Sequence, residues 1–349
     1  MGTLFTRAAT VALSMGLATA CGGSDDDAGV DPGGGDGGAV GQAGFGGGSG
    51  ATIGSAGSGA SVGTAGSGAG GSGGGTTAGG CANNQTQATS GNHIIAEVSW
   101  PAKTGIEAGT GTMHIWTLTV LDMQAPDPTT GAIPATGKVK PCGSTIPALT
   151  KTGIAGGGKV QTIIPDEVWD QPGIPTFNAT GTLSGFDVGA TVQMDPVVSL
   201  VGMDMDNAEG PWPSSFKQIN AVDHDGDGKP GIFARPRTDA PFGAPPTSLL
   251  EALNPNGKRA TAIYVATRTK VELGGQRDTC TTASGSATVH MLDTHVVGCL
   301  RNDNKACSAG EVDFIDQNQP KFTIKSASYQ MVQLPDGANC ADVRAALPN

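Results

Sequence analysis

The chain reads as a mainly β protein: an antiparallel β-sandwich or barrel with two short helices, preceded by a disordered tether. Three observations predict this. Apolar residues recur at every second position in many separate stretches, the signature of half-buried strands. Turn residues punctuate those stretches, as in Pro126-Asp127-Pro128, Thr130-Gly131, Gly156-Gly157-Gly158 and Pro335-Asp336-Gly337. The composition also changes abruptly near residue 80, from Gly/Ser-rich to that of a folded domain.

The 349 residues divide into three parts: 1–20, 21–80 and 81–349. In the first, Arg7 precedes the apolar run Ala8 to Leu17, and Ala18-Thr19-Ala20 leads into Cys21. This order is that of a secretory signal segment, which is not part of the fold. Residues 22–80 contain 27 glycines in 59 positions and few apolar side chains, so they cannot bury enough surface to offset the entropy of ordering. As a Gly-rich coil this segment spans roughly 40 Å, and fully extended about 200 Å. Within it, Gly70-Gly71-Ser72-Gly73-Gly74 satisfies the hydrolase pattern G-x-S-x-G. With no strand before it and no helix after it, the match is an accident of composition.

Strands are expected over 93–100, 112–123, 159–164, 176–183, 191–201, 261–273, 287–297 and 321–334, with about ten in all. In 261–273, Ile263, Val265, Thr267, Thr269, Val271 and Leu273 face one way, and Tyr264, Ala266, Arg268, Lys270 and Glu272 the other. Residues 125–134 and 235–247 read as long loops. One helix is expected where Ser248-Leu249-Leu250-Glu251 forms a capping box before the stop Asn254-Pro255-Asn256-Gly257, and a second over 340–347 with Asn339 as its cap. No internal repeat is present, which excludes a propeller or solenoid. One domain fits 81–349 better than two.

The seven cysteines are Cys21, Cys81, Cys142, Cys280, Cys299, Cys307 and Cys340. An exported chain with an odd count needs one of them accounted for, and setting Cys21 aside leaves six for disulfides. Six cysteines allow 15 connectivities and the sequence does not choose among them; Cys299 with Cys307 across a short turn is the first guess, followed by Cys81 with Cys142 and Cys280 with Cys340. No Cys/His spacing suggests zinc. The net charge of −11 argues against nucleic acid and anionic lipid surfaces as partners. No later run approaches the ~18 apolar residues of a membrane-spanning helix.

Functional chemistry concentrates in Asp223-His224-Asp225-Gly226-Asp227-Gly228-Lys229. Three carboxylates at alternating positions repel one another unless a cation neutralises them, and hard oxygen ligands suit Ca2+ better than zinc. The alternative is a plain polar turn, since Asp and Gly are common turn residues. Weaker candidates are Asp293 with His295, and His290 nearby, for a hydrolase. Asp166, Glu167 and Asp170 around Trp169 are candidates for an acid pair with a sugar-stacking ring. His114 and Trp116 read as core or barrel lining.

Two resemblances add to this reading. Residues 7–21 resemble a bacterial lipoprotein signal, although Ala18 stands where that family prefers leucine. The resemblance implies that Cys21 is lipidated and becomes the mature amino terminus, with membrane contact only through that lipid. Gly22 after the cysteine implies delivery to the outer membrane, and Ser24-Asp25-Asp26-Asp27 resembles acidic signals for the outer cell surface. Residues 223–234 resemble the D-x-D-x-D-G calcium loops of EF-hands, dockerins and thrombospondin type 3 repeats. This implies ligation by Asp223, Asp225, Asp227 and the Lys229 main-chain carbonyl, with Gly228 at the sharp turn. Ala234 stands where a bidentate Glu or Asp belongs, so a further ligand is expected from Asp204, Asp206, Glu209 or Asp239. The expected function is that of a cell-surface calcium-binding lipoprotein, non-enzymatic, with a structural or adhesive role and a cell-envelope or extracellular partner. A β-barrel carrier of a small apolar ligand is the alternative, and a secreted hydrolase the weakest.

Overall fold

The computed structural model describes residues 81, 86–103, 105–151, 159–237, 260–301 and 303–349, all within one compact unit. The expected signal segment and tether, the lipidation expected at Cys21 and the helix expected at 248 fall on residues outside those described.

The strands are β1 (Gln87–Trp100), β2 (Gly109–Met123), β3 (Ile133–Thr145), β4 (Leu149–Thr150), β5 (Lys159–Val160), β6 (Thr162–Ile163) and β7 (Phe177–Leu183). They continue with β8 (Thr191–Val201), β9 (Met203–Asp204), β10 (Asn220–Ala221), β11 (Ile232–Pro236), β12 (Ala260–Arg277), β13 (Thr282–Arg301) and β14 (Thr323–Leu334). Three helices accompany them among the described residues: the single turn α1 (Asp166–Trp169), α2 (Ala309–Asn318) and α3 (Cys340–Ala346).

The antiparallel pairings run β1–β2–β3–β7–β8–β12–β13–β14 and back to β1. The ring is closed, which resolves sandwich against barrel in favour of a barrel and leaves no free edge within the ring. Each of the eight strands contributes to one buried cluster: Ile94, Leu121, Val139, Ala179, Met194, Leu273, Ala287 and Tyr329. That cluster is the barrel interior. Beyond the end of β7, the space between β3 and β12 is bridged instead by β6 and β11, which pair with each other as well.

β3 was the strand hidden in the sequence. It carries Pro134, the last residue of the loop expected over 125–134, and Pro141, which sits where the β2–β3 register shifts between Trp116 and Thr117. A bulge is where a strand tolerates a residue without an N–H. β12 departs from expectation too: Tyr264, Ala266 and Arg268, placed on its solvent face by alternation, are all buried. Residues 205–219 leave β9, cross over that face and return in β10, packing Met205, Ala208, Trp212 and Ile219 against Leu200, Met203 and Ala266.

The helices close the remaining faces. α2 is capped by Ser308 and Glu311 in a reciprocal capping box and buries Val312 and Ile315 against the cluster holding Ile263, Val265 and Val296. α3 has the expected Asn339 cap, with Asp342 completing the box. It lies on the outer face of β1–β3, where Trp116 donates its indole N–H to the Leu347 carbonyl at 2.8 Å. Trp116 and His114 therefore do not line the barrel; Met113 and Leu121 do, on the opposite face of β2.

The disulfides are Cys81–Cys280, Cys142–Cys340 and Cys299–Cys307. The short-range pair is as expected, and the two long-range pairs are exchanged. Ring closure brings the start of the domain to the β12–β13 turn and α3 to β3, a juxtaposition that sequence spacing does not contain.

Candidate metal site

The Asp-rich loop connects β10 to β11 and is rooted at both ends by main-chain hydrogen bonds. Val222 N–H donates to the Gly202 carbonyl at 3.0 Å, and Gly231 N–H to the Val222 carbonyl at 3.1 Å. The Gly202 N–H in turn donates to His224 Nδ1 at 2.9 Å, fixing the loop's second residue on the end of β8. Gly226, Gly228 and Gly231 have φ of 74°, 81° and 98°, the left-handed region in which a Cβ is disfavoured. The glycines permit the coil that turns alternate side chains inward.

Inside that coil, Asp223, Asp225 and Asp227 each bring a carboxylate oxygen within 4.8 Å of the others. Asp223 is held by Gly226 N–H on Oδ1 at 2.7 Å and Gly228 N–H on Oδ2 at 2.8 Å. Asp227 Oδ1 accepts from Lys229 N–H at 2.8 Å. Asp225 is the buried member at 7% exposure, and its Oδ2 accepts from Phe233 N–H at 2.7 Å. Its other oxygen, Oδ1, is buried with no N–H or hydroxyl donor among the described residues, and the Asp225 carboxyl lies against that of Asp223. A buried carboxylate oxygen lacking a donor is costly, and it calls for an explanation such as an ion.

The electrostatics follow from this packing. Burial raises the Asp225 pKa, and the neighbouring charges of Asp227 and Asp223 raise it further against the Phe233 bond. Burial also pushes Asp223 upward, but the Gly228 and Gly226 N–H groups outweigh it and its carboxyl lies below the ordinary value. Tyr264, behind the loop, is raised by burial and by the charges of Asp227 and Asp225. The donor set is all oxygen and anionic, which fits a hard divalent cation such as Ca2+ and not a soft one.

Of the further ligands expected, none joins the cluster among the described residues. Glu209 pairs with Lys270 at 2.9 Å, Asp204 lies in β9 close enough to act on His224, and Asp239 is outside the described residues. Lys229 follows the third aspartate as expected, with its N–H turned to Asp227.

The rival sites dissolve on inspection of their partners. His295 does pair with an aspartate, but with Asp316 of α2 at 2.7 Å, and its other ring nitrogen faces the Pro213 carbonyl at 2.9 Å. Asp293 instead receives Arg268 through Nε at 2.9 Å and one terminal nitrogen at 2.7 Å. Neither ring nitrogen of His295 is left to activate a nucleophile. His290 pairs with Glu272 at 3.0 Å. Trp169 is buried at 4% exposure and cannot stack on a sugar, while Asp166 and Asp170 bind Arg344. Sequence reasoning missed Arg268, Trp212 and Asp316, which lie far apart in the chain and carry no motif.

No known protein family matches the chain, and no curated protein matches it either.

Proposed function

We propose that the chain is a non-enzymatic, calcium-binding lipoprotein of the bacterial cell surface, with a structural or adhesive role. The observation that carries this reading is the convergence of three carboxylates around the buried Asp225 Oδ1, which has no donor among the described residues. Asp223, Asp225, Asp227 and the Lys229 carbonyl would hold the ion. Its charge would offset the burial and then the carboxylate repulsion that raise the Asp225 pKa, and it would brace the turn between β10 and β11. Lipidation at Cys21, outer-membrane delivery and contact with a cell-envelope partner belong to the same proposal and rest on the signal-like segment and the tether.

A calcium titration of thermal unfolding tests it. With the weak affinity expected of an extracellular loop lacking its twelfth-position acid, about 0.1–1 mM, addition of ~10 mM calcium should raise Tm by roughly 3–10 °C. Asp225→Ala should abolish that rise. An equal rise in the variant, or none in the parent protein, would remove the loop as a calcium site.

The closed barrel supports one second reading, a carrier of a small apolar ligand. Two cavities flank Met194 in the interior, each of about 60 Å³. Carrier pockets for such ligands run to roughly 300 Å³ and above, larger than either of these two cavities.

A further inference from the structure

The outer face of β12 and β13 carries a stack of three side chains. Trp212, at the tip of residues 205–219, has the Arg268 guanidinium 5.0 Å from its ring and lies parallel to His295 at 5.1 Å with an interplanar angle of 12°. Arg268 also donates from Nη1 to the Ala208 carbonyl at 3.1 Å and the Gly210 carbonyl at 2.6 Å. This half of the attachment does not involve the imidazole.

His295 supplies the other half, and it differs. Its Nδ1 faces Asp316 Oδ2 at 2.7 Å and its Nε2 faces the Pro213 carbonyl at 2.9 Å. Both neighbours can only accept, so both contacts are hydrogen bonds only when both ring nitrogens carry a proton. A neutral ring keeps one proton, and the charged acceptor holds it more strongly than the carbonyl does. Asp316 is itself fixed by Val296 N–H at 2.8 Å and the Gln319 side-chain amide at 2.9 Å, so it does not turn away. Loss of the proton therefore falls on the Pro213 contact, where a lone pair would then face a carbonyl oxygen.

We infer that His295 is a pH-operated latch: as the imidazolium it clasps residues 205–219 to the barrel wall, and on losing its proton it lets go of Pro213, so that the segment, held from then on by Arg268 and its apolar packing alone, opens more often. Among the described residues, the charged groups around the ring are Asp316 on α2, Asp293 on its own strand, Arg268 on β12 beyond Trp212, and Lys321 after α2. Burial opposes the ring's charge, and the Asp316 and Pro213 bonds with the Asp316 charge overcome it. Lys321 acts in the opposite direction, and the net pKa is raised. The latch therefore stays closed through the ordinary histidine range and opens above it. Opening uncovers the paired Arg268 and Asp293 on the outer face of the barrel.

Hydrogen exchange of the amides in 205–219, corrected for intrinsic rate, measures the latch in the full chain at one fixed calcium concentration. Protection in the parent protein should fall about tenfold or more between about pH 6 and about pH 9. In Asp316→Asn the amide can donate to Nδ1, so a neutral ring with its proton on Nε2 still reaches Pro213. Protection should then be held across the same range. Imidazole ¹⁵N shifts of His295 in the parent protein give a second reading: both nitrogens protonated below the transition, Nδ1 alone above it, with the midpoint of the exchange curve. Protection independent of pH, parallel loss in Asp316→Asn, or midpoints that do not coincide would overturn the inference.

Discussion

Gly202 carries constraints that no side chain meets. Its φ is 75°, and a Cβ there would lie 2.4 Å from the Val265 carbonyl oxygen, which is main chain and cannot swing aside. Its N–H holds His224 and its carbonyl holds Val222, so the residue joins the end of β8 to the root of the Asp-rich loop. Gly202→Ala combines left-handed strain with a close contact, and should cost about 2–4 kcal/mol. Thermal unfolding checks this; a loss below ~1 kcal/mol would mean that the β8 end relaxes freely. The Asp spacing of the loop was legible in the sequence because carboxylates that converge within one coiled loop are close in the chain. The Gly202 contact was not, because it joins residues from different strands.

The element that most rewards attention is α3 with the strands beneath it. Its Asn339 cap could be read because a cap is a short pattern: a side chain satisfying N–H groups two and three residues on. The same logic applied to Ser308 and Glu311 would have found α2, whose weak amphipathic pattern gave no other sign. What α3 covers could not be read. Beneath it His93 is buried at 2% exposure, stacked on Trp116 at 4.7 Å, with its Nε2 2.9 Å from His114 Nδ1. Burial, then the His114 charge, lowers the His93 pKa to about 4. The unfolded chain therefore binds this proton first as pH falls. Stability is full above about pH 6.5 and declines until pH reaches about 4, by at most ~3 kcal/mol from this group. Urea unfolding over that range should show the decline, and His93→Asn should flatten it. An equal slope in the variant would place the acid sensitivity elsewhere.

At the scale of the whole molecule the alternation of apolar residues was enough to give a mainly β antiparallel domain, because the period of two belongs to each strand separately. Which strands meet was not legible: β1 pairs with β14 and β3 with β7, and nothing local to Gly91 or Gly137 names those partners. The exchanged disulfides have the same cause. Cys142–Cys340 spans 198 residues and Cys81–Cys280 spans 199, so loop length alone makes them equivalent constraints on the unfolded chain. Their folded surroundings differ. α3 stays attached without its disulfide, through Trp116 to Leu347, Arg344 to the Cys142 carbonyl, and Arg344 to Asp170. Cys81 is joined to the body by one further described bond, its N–H to Asp187 at 3.3 Å. Replacing either cysteine pair by serines should lower stability by about 2–4 kcal/mol, or roughly 5–15 °C in Tm, with unfolding still a single transition because the eight-stranded ring is closed. Hydrogen exchange should separate the two: Cys142→Ser with Cys340→Ser leaves the α3 amides protected, whereas Cys81→Ser with Cys280→Ser leaves the residue 81 amide with its Asp187 bond alone and lowers its protection. Loss of α3 protection in the first variant would show that the disulfide, and not the Trp116 and Arg344 contacts, holds the helix on the barrel.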